Sequence, residues 1–335
     1  MCLRLACGSV TASATPPPGA RPRVLVLDDY QGVALELADW SALPVDVDVE
    51  RSPLGGEDAV VERLAPYDVV VAMRERTPLP REVLERLPRL RLLVTTGMRN
   101  ASIDVAAASG RGVVVCGTAS LPHPTAELTW GLVLALARRI PQEHAGVRAG
   151  AWQTTVGVDL AGRRLGVLGL GRLGERVARV GLAFGMDVVA WSQHLTDDRC
   201  AEVGVRRVER EEVFATADVL TVHLVLSDRT RGLVGAEELA LMKPTALLVN
   251  TSRGPVVDEA ALVGALRAGR LGGAGLDVYA EEPLPPGSPL RDLDRVVLTP
   301  HLGYVTEDNY RGMYADAVED VAAFLRGEPV RVLGG

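Results

Sequence analysis

Short apolar runs alternate with helical segments along most of the chain. The runs form a first series at residues 24–27, 45–49, 69–73, 92–94 and 113–115, and a second at 164–168, 188–191, 219–222, 246–249, 274–278 and 296–298. Apolar strands that alternate with helices indicate parallel sheets covered on both faces. We therefore predict an α/β protein with two doubly wound parallel-sheet domains and a final helix over residues 308–325.

The longest apolar run, residues 128–137, lies between the two series. It has about half the length that a bilayer crossing needs, so it predicts a buried helix and no membrane association. A helix that is apolar nearly all round must be covered on every side. We therefore expect a second copy of the chain to cover part of it, in a homodimer.

A glycine-rich turn follows the run at residues 164–168. Gly169, Gly171 and Gly174 have the spacing that allows a tight turn, a close approach to a pyrophosphate and packing of the next helix. Apolar residues continue at helical spacing after the turn, at Leu173, Val177, Val180 and Phe184. The pattern predicts a dinucleotide-binding β-α-β unit whose helix start offers N–H groups to the phosphates. The residues expected at the cofactor here are Gly169, Leu170, Gly171, Arg172, Leu173 and Gly174.

Composition and charge argue against several classes of protein. The length of 335 residues suggests two domains. A net charge of −7, with one lysine among 36 basic residues, leaves no basic tract for a nucleic-acid backbone. The four cysteines are scattered without a histidine cluster, so we expect neither a metal site nor disulfides. Residues 1–21 are too weakly apolar for a secretory signal, so we expect a disordered leader on a cytoplasmic protein.

Three ionisable residues follow strands of the second series, at the sheet edge where open α/β folds hold their ligands. They are Arg253, Glu282 and His301. Reduction of a 2-keto acid needs a cation that holds the carboxylate and polarises the carbonyl, and a proton donor for the emerging alkoxide. Arg253 and His301 suit these tasks, while Glu282 would orient the imidazole and favour its charged form. Hydride transfer from a nicotinamide to a carbonyl is the predicted chemistry.

The segments that carry these residues resemble the signatures of the D-isomer-specific 2-hydroxyacid dehydrogenases. They are MKPTALLVNTSRGPVVD at 242–258, GLDVYAEEP at 275–283 and LTPHLG at 298–303. The motifs follow the family's order, and the likeness runs from about Arg23 to the C-terminus. Together with the glycine turn they make the resemblance specific.

The resemblance implies a domain organisation and a function. A Rossmann domain over residues 123–302 would bind NAD(P), inserted in a flavodoxin-like substrate domain made of residues 22–122 and 303–335. The chain would transfer a hydride between a nicotinamide cofactor and C2 of a small D-2-hydroxy acid or 2-keto acid. Some relatives instead use this scaffold as an NAD(H)-sensing corepressor that recruits other proteins, and this alternative stays open.

The resemblance also implies residue roles. Arg253 would bind the substrate, Glu282 would be the partner carboxylate and His301 the acid and base. Glu282 is chosen over Glu281 because the family's glutamate directly precedes the proline. Asp277 would hold the nicotinamide amide, and Thr251 would also contact the cofactor.

The family binds the substrate carboxylate through backbone N–H groups of a glycine loop, which corresponds here to Gly97, Met98 and Arg99. Arg99 and Asn100 depart from the family's usual small and apolar residues. An added cation at Arg99 suggests a larger or doubly charged acid as substrate. Arg74 and Arg76 match a family segment that reaches phosphorylated or acidic substrates, although surface arginines are the commoner meaning. We count Arg74 among the expected substrate contacts.

Cofactor choice depends on the residue that ends the second Rossmann strand, where an acid would bind the ribose and repel a 2′-phosphate. That residue is Ser192, while Asp187 stands at the strand's beginning. The residues nearby that offer donors to a phosphate are Gln193, His194 and Arg199. NAD is expected as the family's commoner cofactor, with NADP left open.

Aromatic and histidine residues outside these motifs carry weaker expectations. Tyr304 would either narrow the substrate end of the site or pack as a core residue. The remaining histidines lack a matching carboxylate motif and are expected to be structural or exposed; they are His123, His144, His194 and His223.

Overall fold

The computed structural model describes residues 21–334. The leader expected over residues 1–21 lies outside the described residues, except for Arg21. Two compact units make up the described chain. The first consists of the residues up to Ser120 together with those from Glu307 onward, and the second of Leu121–Thr306.

The first unit contains a five-stranded parallel sheet. Its strands are β1 (Arg23–Val26), β2 (Asp46–Val49), β3 (Val69–Ala72), β4 (Leu92–Thr95) and β5 (Val114–Gly117). The strand order β2-β1-β3-β4-β5 is that of flavodoxin-like folds. β3 and β4 are buried along their whole length, which explains their continuous apolar sequence.

Helices cover both faces of this sheet. They are α1 (Ala34–Leu37), α2 (Glu57–Leu64), α3 (Arg81–Leu84), α4 (Val105–Gly110) and, from the C-terminal part of the chain, α12 (Glu307–Leu325). α12 packs against α1 and β4, so the chain returns to this unit after completing the second.

The second unit contains a seven-stranded parallel sheet. Its strands are β6 (Arg164–Leu168), β7 (Asp187–Trp191), β8 (Arg206–Arg207), β9 (Val219–Val222), β10 (Leu247–Asn250), β11 (Gly273–Leu276) and β12 (Val296–Leu298). The order β12-β11-β10-β9-β6-β7-β8 is the Rossmann order with one additional strand, and the chain reverses direction across the sheet between β9 and β6. The predicted fold class, with a Rossmann unit inserted in a flavodoxin-like unit, is confirmed.

The helices of the second unit connect these strands. They are α5 (His123–Ala137), α6 (Ile140–Arg148), α7 (Arg172–Ala183), α8 (Asp197–Val203), α9 (Arg210–Thr216), α10 (Ala236–Leu241) and α11 (Glu259–Arg267). Within residues 21–334, none of the helices combines the length and the apolar character needed to cross a bilayer.

The packing of α5 and α7 bears on two of the sequence patterns. α5 contains the apolar run 128–137, and α7, β10 and β11 of its own unit cover much of it, while Leu128 and Leu134 stay partly exposed, so the homodimer stays a prediction. α7 buries small residues such as Gly181, where a Cβ would lie 2.6 Å from a methyl group of Leu165. Val180 and Phe184, which continue the helical spacing of apolar residues, are exposed.

Candidate active site

The glycine turn after β6 requires glycine for steric reasons. Gly169 has φ +99°, and a Cβ there would lie 2.8 Å from the carbonyl oxygen of His223. A Cβ on Gly174 would collide with the carbonyl oxygen of Gly169 and lie 3.2 Å from Val167 of β6. Both positions therefore exclude larger residues and hold the start of α7 close to the strand.

The space beside Gly171 suits a phosphate group. A Cβ built on Gly171 meets no heavy atom within 4 Å, so the backbone is open on this side. The N–H groups of Arg172, Leu173 and Gly174 lie in the first turn of α7 and have no partner within the helix. The N–H of Leu170 is different because it donates to Ser192 Oγ at 3.1 Å. The turn thus fits a pyrophosphate, with Leu170 fixing the loop.

Ser192, directly after β7, carries a hydroxyl where many nucleotide-binding domains carry an acid. Asp187 pairs with Arg164 at the opposite end of the strand, 2.6 Å apart, as its position in the sequence predicts. Arg199, expected as a phosphate donor, is bound to Glu175 and Glu202. Two carboxylates therefore already neutralise this arginine.

A close pair of side chains stands beyond β11 and β12. Nδ1 of His301 lies 2.6 Å from Oε2 of Glu282, and Oε1 of Glu282 accepts the backbone N–H of Tyr279 at 3.0 Å. Glu282 is thus held from behind while it holds the imidazole. The arrangement leaves Nε2 of His301 as the ring nitrogen that can exchange a proton with a ligand.

A buried carboxylate shapes the segment that carries the histidine, residues 299–303, here called the His301 loop. Asp277 is fully buried, and Oδ1 accepts the hydroxyl of Thr299 at 2.6 Å and the N–H of Leu302 at 2.7 Å. Its Oδ2 accepts the N–H of Gly303 at 2.8 Å. Burial raises the pKa of Asp277, and these three donors act against the rise. The nicotinamide contact expected of Asp277 stays a prediction; the loop-holding bonds are an addition that the sequence did not indicate.

Arg253 is positioned by an asparagine that sequence reasoning missed. The Asn250 carboxamide donates to the carbonyl oxygen of Arg253 at 3.0 Å and accepts the N–H and hydroxyl of Ser252. A Cβ on Gly254 would collide with the carbonyl group of Tyr279, so glycine lets this loop lie against the one that leads to Glu282. The signal for Asn250 was its place at the last residue of β10, directly before the arginine motif.

Strand order brings the three predicted catalytic residues to one sheet edge. Arg253 follows β10, Glu282 follows β11 and His301 follows β12, and these strands are consecutive neighbours. Adjacent strands lie about 5 Å apart, so the three loops emerge within about 10 Å of one another. The glycine turn follows β6 at the same edge.

Thr251 and Tyr304, which also lie near this edge, contact other residues of the second unit. Thr251 is buried, and its hydroxyl lies 2.8 Å from that of Thr129, so its cofactor contact stays a prediction. The Tyr304 ring packs edge-on against the His301 ring, with centroids 5.5 Å apart and planes at 76°. The sequence left open whether Tyr304 packs or narrows the site, and this ring contact fits both alternatives, so both stay predictions.

The Gly97 loop, residues 96–99 of the first unit, follows β4. The Gly97 N–H donates to Thr118 Oγ1 at 2.9 Å, so it is not available to a substrate as we expected. Within residues 21–334, the N–H groups of Met98 and Arg99 have no hydrogen-bond partner. Met98 is 48% exposed. Arg74 lies against this loop, where its Nη1 donates to the carbonyl oxygen of Thr96 at 3.1 Å.

Asn100 explains one of the departures from the family's pattern. Its carboxamide donates to the carbonyl oxygen of Arg74 and, at 2.9 Å, to the hydroxyl of Thr95, and it accepts the N–H of Ser102. An apolar residue could make none of these bonds. Asn100 therefore joins the segments that follow β3 and β4.

His223 lies behind the glycine turn and differs from the other histidines. Both ring nitrogens are buried and, within the described residues, have no hydrogen-bond partner. Burial lowers the pKa of His223 to about 4, so the ring is neutral near pH 7. The sequence predicted only that it is structural or exposed.

Comparisons with known proteins agree with this geometry. Residues 130–303 match the family profile described as D-isomer specific 2-hydroxyacid dehydrogenase, NAD binding domain. The chain is 38% identical over 318 residues to the glyoxylate reductase of Aeropyrum pernix, a match that covers 92% of this chain and 94% of that protein. It is 37% identical over 276 residues to the D-3-phosphoglycerate dehydrogenase of Methanocaldococcus jannaschii, covering 81% of this chain and 52% of that protein. The chain thus spans about half the length of this second relative.

A solved structure shows the same fold. The phosphoglycerate oxidoreductase of Vibrio cholerae O395 superposes with a TM-score of 0.87 at 38% identity, covering 91% of this chain and 99% of that chain. The unit that carries the glycine turn is the family's NAD binding domain, and NAD is its cofactor. The chain belongs to the D-isomer specific 2-hydroxyacid dehydrogenase family.

Proposed function

We propose that this chain is a dehydrogenase that interconverts a small D-2-hydroxy acid and its 2-keto acid. The observation that carries the proposal is the contact between His301 and Glu282 at the sheet edge that also carries the glycine turn. A histidine held by a carboxylate is suited to exchange a proton at neutral pH.

His301, Glu282 and Arg253 would divide the work at the reacting carbonyl. When bound, NADH supplies a hydride, which brings both electrons to C2 of the keto acid. Protonated His301 gives its Nε2 proton to the carbonyl oxygen as the oxygen gains charge, which completes the hydroxyl group. Glu282 stabilises the imidazolium from Nδ1. Arg253 binds the substrate carboxylate and polarises the carbonyl.

The first unit would supply further substrate contacts. We propose that the Met98 and Arg99 N–H groups bind the carboxylate, because they are the donors of the Gly97 loop without a partner in the described chain. Arg74 would add positive charge beside them. The relatives named as glyoxylate reductase and phosphoglycerate dehydrogenase suggest a small acid of two or three carbons.

A homodimer is proposed on a different basis from the one that the sequence suggested. The segment between α6 and β6 exposes large apolar side chains, with Trp152 78% and Val156 93% exposed. Val180 and Phe184 of α7 add to the exposed apolar area of this unit. A dimer mass in solution, and its loss in Val156→Asp, would support this assembly; a monomeric wild-type protein would refute it.

A substrate screen tests the proposed activity. The purified chain is assayed with NADH and NADPH against glyoxylate, hydroxypyruvate, phenylpyruvate and 2-ketoglutarate. Cofactor oxidation that requires one of these acids is expected. If none is reduced and NADH instead controls binding of another protein, the corepressor function replaces the proposed one.

A further inference from the structure

The end of β7 lacks the acid that would discriminate against a phosphorylated ribose. Ser192 stands directly after the strand, and its hydroxyl accepts the Leu170 N–H at 3.1 Å, so it lies at the glycine turn. An acid at this place binds the ribose hydroxyls and repels a 2′-phosphate, whereas a serine does not repel it.

An arginine from a distant part of the sequence reaches this place. Because β9 and β7 are the two neighbours of β6, the loops that follow them lie on either side of the glycine turn. Arg229 lies in the loop after β9, and its Nη1 donates to Oε1 of Gln193, directly after Ser192, at 2.6 Å. This bond places the Arg229 guanidinium at the end of β7.

The charge of Arg229 is not neutralised by the described part of the chain. Within residues 21–334, none of the carboxylates lies within 4.0 Å of its guanidinium, whereas nearby Arg199 contacts Glu175 and Glu202. Arg229 is also exposed, and a guanidinium that gives one N–H to Gln193 keeps four for another acceptor. A planar cation with free donors matches the geometry of a phosphate.

We propose that Arg229 and Ser192 form a site for the 2′-phosphate of NADP, so that the nucleotide site accepts NADP in addition to NAD. The inference deepens the proposed function by assigning a second cofactor to the same site. It replaces Arg199, which the sequence suggested as a phosphate donor, by Arg229.

Ligand binding tests the proposal without depending on turnover. Wild type, Arg229→Ala and the matched control Arg231→Ala, an exposed arginine of the same loop, are titrated calorimetrically with NADPH, NADH, 2′,5′-ADP and 5′-AMP. We expect Arg229→Ala to bind NADPH and 2′,5′-ADP about tenfold more weakly, because it loses hydrogen bonds to a charged group. Binding of NADH and 5′-AMP should change less than about twofold, and Arg231→Ala should resemble wild type in all four titrations.

A second variant tests the same site by adding a negative charge at Ser192. Ser192→Asp can still accept the Leu170 N–H, but its charge would repel the 2′-phosphate, so NADPH binding should fall while NADH binding is retained. Equal losses for NADPH and NADH in Arg229→Ala would overturn the proposal, because they would indicate contact with the shared adenosine. An unchanged NADPH affinity would overturn it as well. If only the keto-acid screen fails, the proposed function is refuted. The measured affinities then still test the site for the 2′-phosphate.

Discussion

The His301 loop of the second unit and the Gly97 loop of the first unit are built in opposite ways. Backbone N–H groups and a hydroxyl of the His301 loop converge on Asp277, a carboxylate fully removed from solvent. The Gly97 loop exposes Met98 and Arg99, whose N–H groups have no partner in the described chain. The three donors to Asp277 hold the His301 loop in its fold, whereas two N–H groups of the Gly97 loop remain without a partner in the described chain.

In the function proposed here, this difference would separate reaction from recognition. The geometry of proton transfer depends on internal bonds that a change of substrate does not touch. Recognition depends on exposed groups that can be exchanged at small cost in stability. Variants of the His301 loop should therefore damage catalysis for every substrate, whereas variants of the Gly97 loop should change the ranking of substrates.

Removal of the imidazole should have the largest effect. His301→Ala lacks the proton donor, so kcat for keto-acid reduction should fall by about a thousandfold. NADH affinity should stay within about twofold in calorimetric titration, because the glycine turn is untouched. The exposed His144→Ala serves as control. Full activity in His301→Ala would contradict the assigned role.

Loss of the buried carboxylate should come next. Asp277→Asn keeps only one oxygen acceptor for three donors, so the His301 loop should shift and kcat should fall about 10- to 100-fold for all substrates alike. The free energy of unfolding should decrease by about 1–3 kcal/mol in urea titrations. Asp294→Asn, on an exposed carboxylate of the same unit, should match wild type in both measurements. A loss confined to one substrate would break the contrast between the loops.

Acid should lower the free energy of unfolding of the second unit, because His223 is buried there as a neutral ring. The pKa of His223 is about 4 in the folded chain and 6.5 for a free imidazole, so only the unfolded chain binds a proton between these values. The free energy of unfolding is therefore unaffected by this group above pH 6.5 and falls by about 3 kcal/mol as the pH is lowered from 6.5 to about 4. Urea titrations at several pH values should show this slope in wild type and a flatter one in His223→Gln. Equal slopes would show that the ring is not the titrating group.

Removal of the exposed cation should have the smallest effect. Arg99→Ala should lower kcat/KM for a dicarboxylic keto acid relative to a monocarboxylic one by about two- to fivefold, since an exposed ion pair contributes little. Unfolding by urea should not change. Arg111→Ala, another exposed arginine of the first unit, is the control. An unchanged ratio would remove Arg99 from substrate selection.

The sequence predicted what depends on local pattern. Strands such as β9 are buried on both faces, so a continuous apolar run marked them without ambiguity. Parallel strands bring successive loops to one edge, which predicted an acid near His301, but the choice of Glu282 over Glu281 came from the family resemblance. The strands need only the residues of a short segment, whereas the choice between the two glutamates needed the family's motif.

The remaining features depend on contacts between distant residues or on the backbone. Helical spacing of apolar residues continues through Val180 and Phe184, but both are exposed, and the buried face of α7 includes glycine and alanine, which let the helix approach the sheet. Residues 193 and 229 are 36 positions apart, and neither belongs to a motif. The bonds to Asp277 come largely from backbone N–H groups, which every non-proline residue carries and no sequence pattern reveals.

Because α12 returns to the first unit, the two units can complete their folds only in a fixed order during translation. During translation, all residues of the second unit leave the ribosome before α12 does, so that unit can close its core first. Until α12 has been synthesised, β4 of the five-stranded sheet lacks the helix that packs on it. A chain that ends at Thr306 and has been released from the ribosome should therefore protect the Rossmann half from protease and leave the other half open to cleavage.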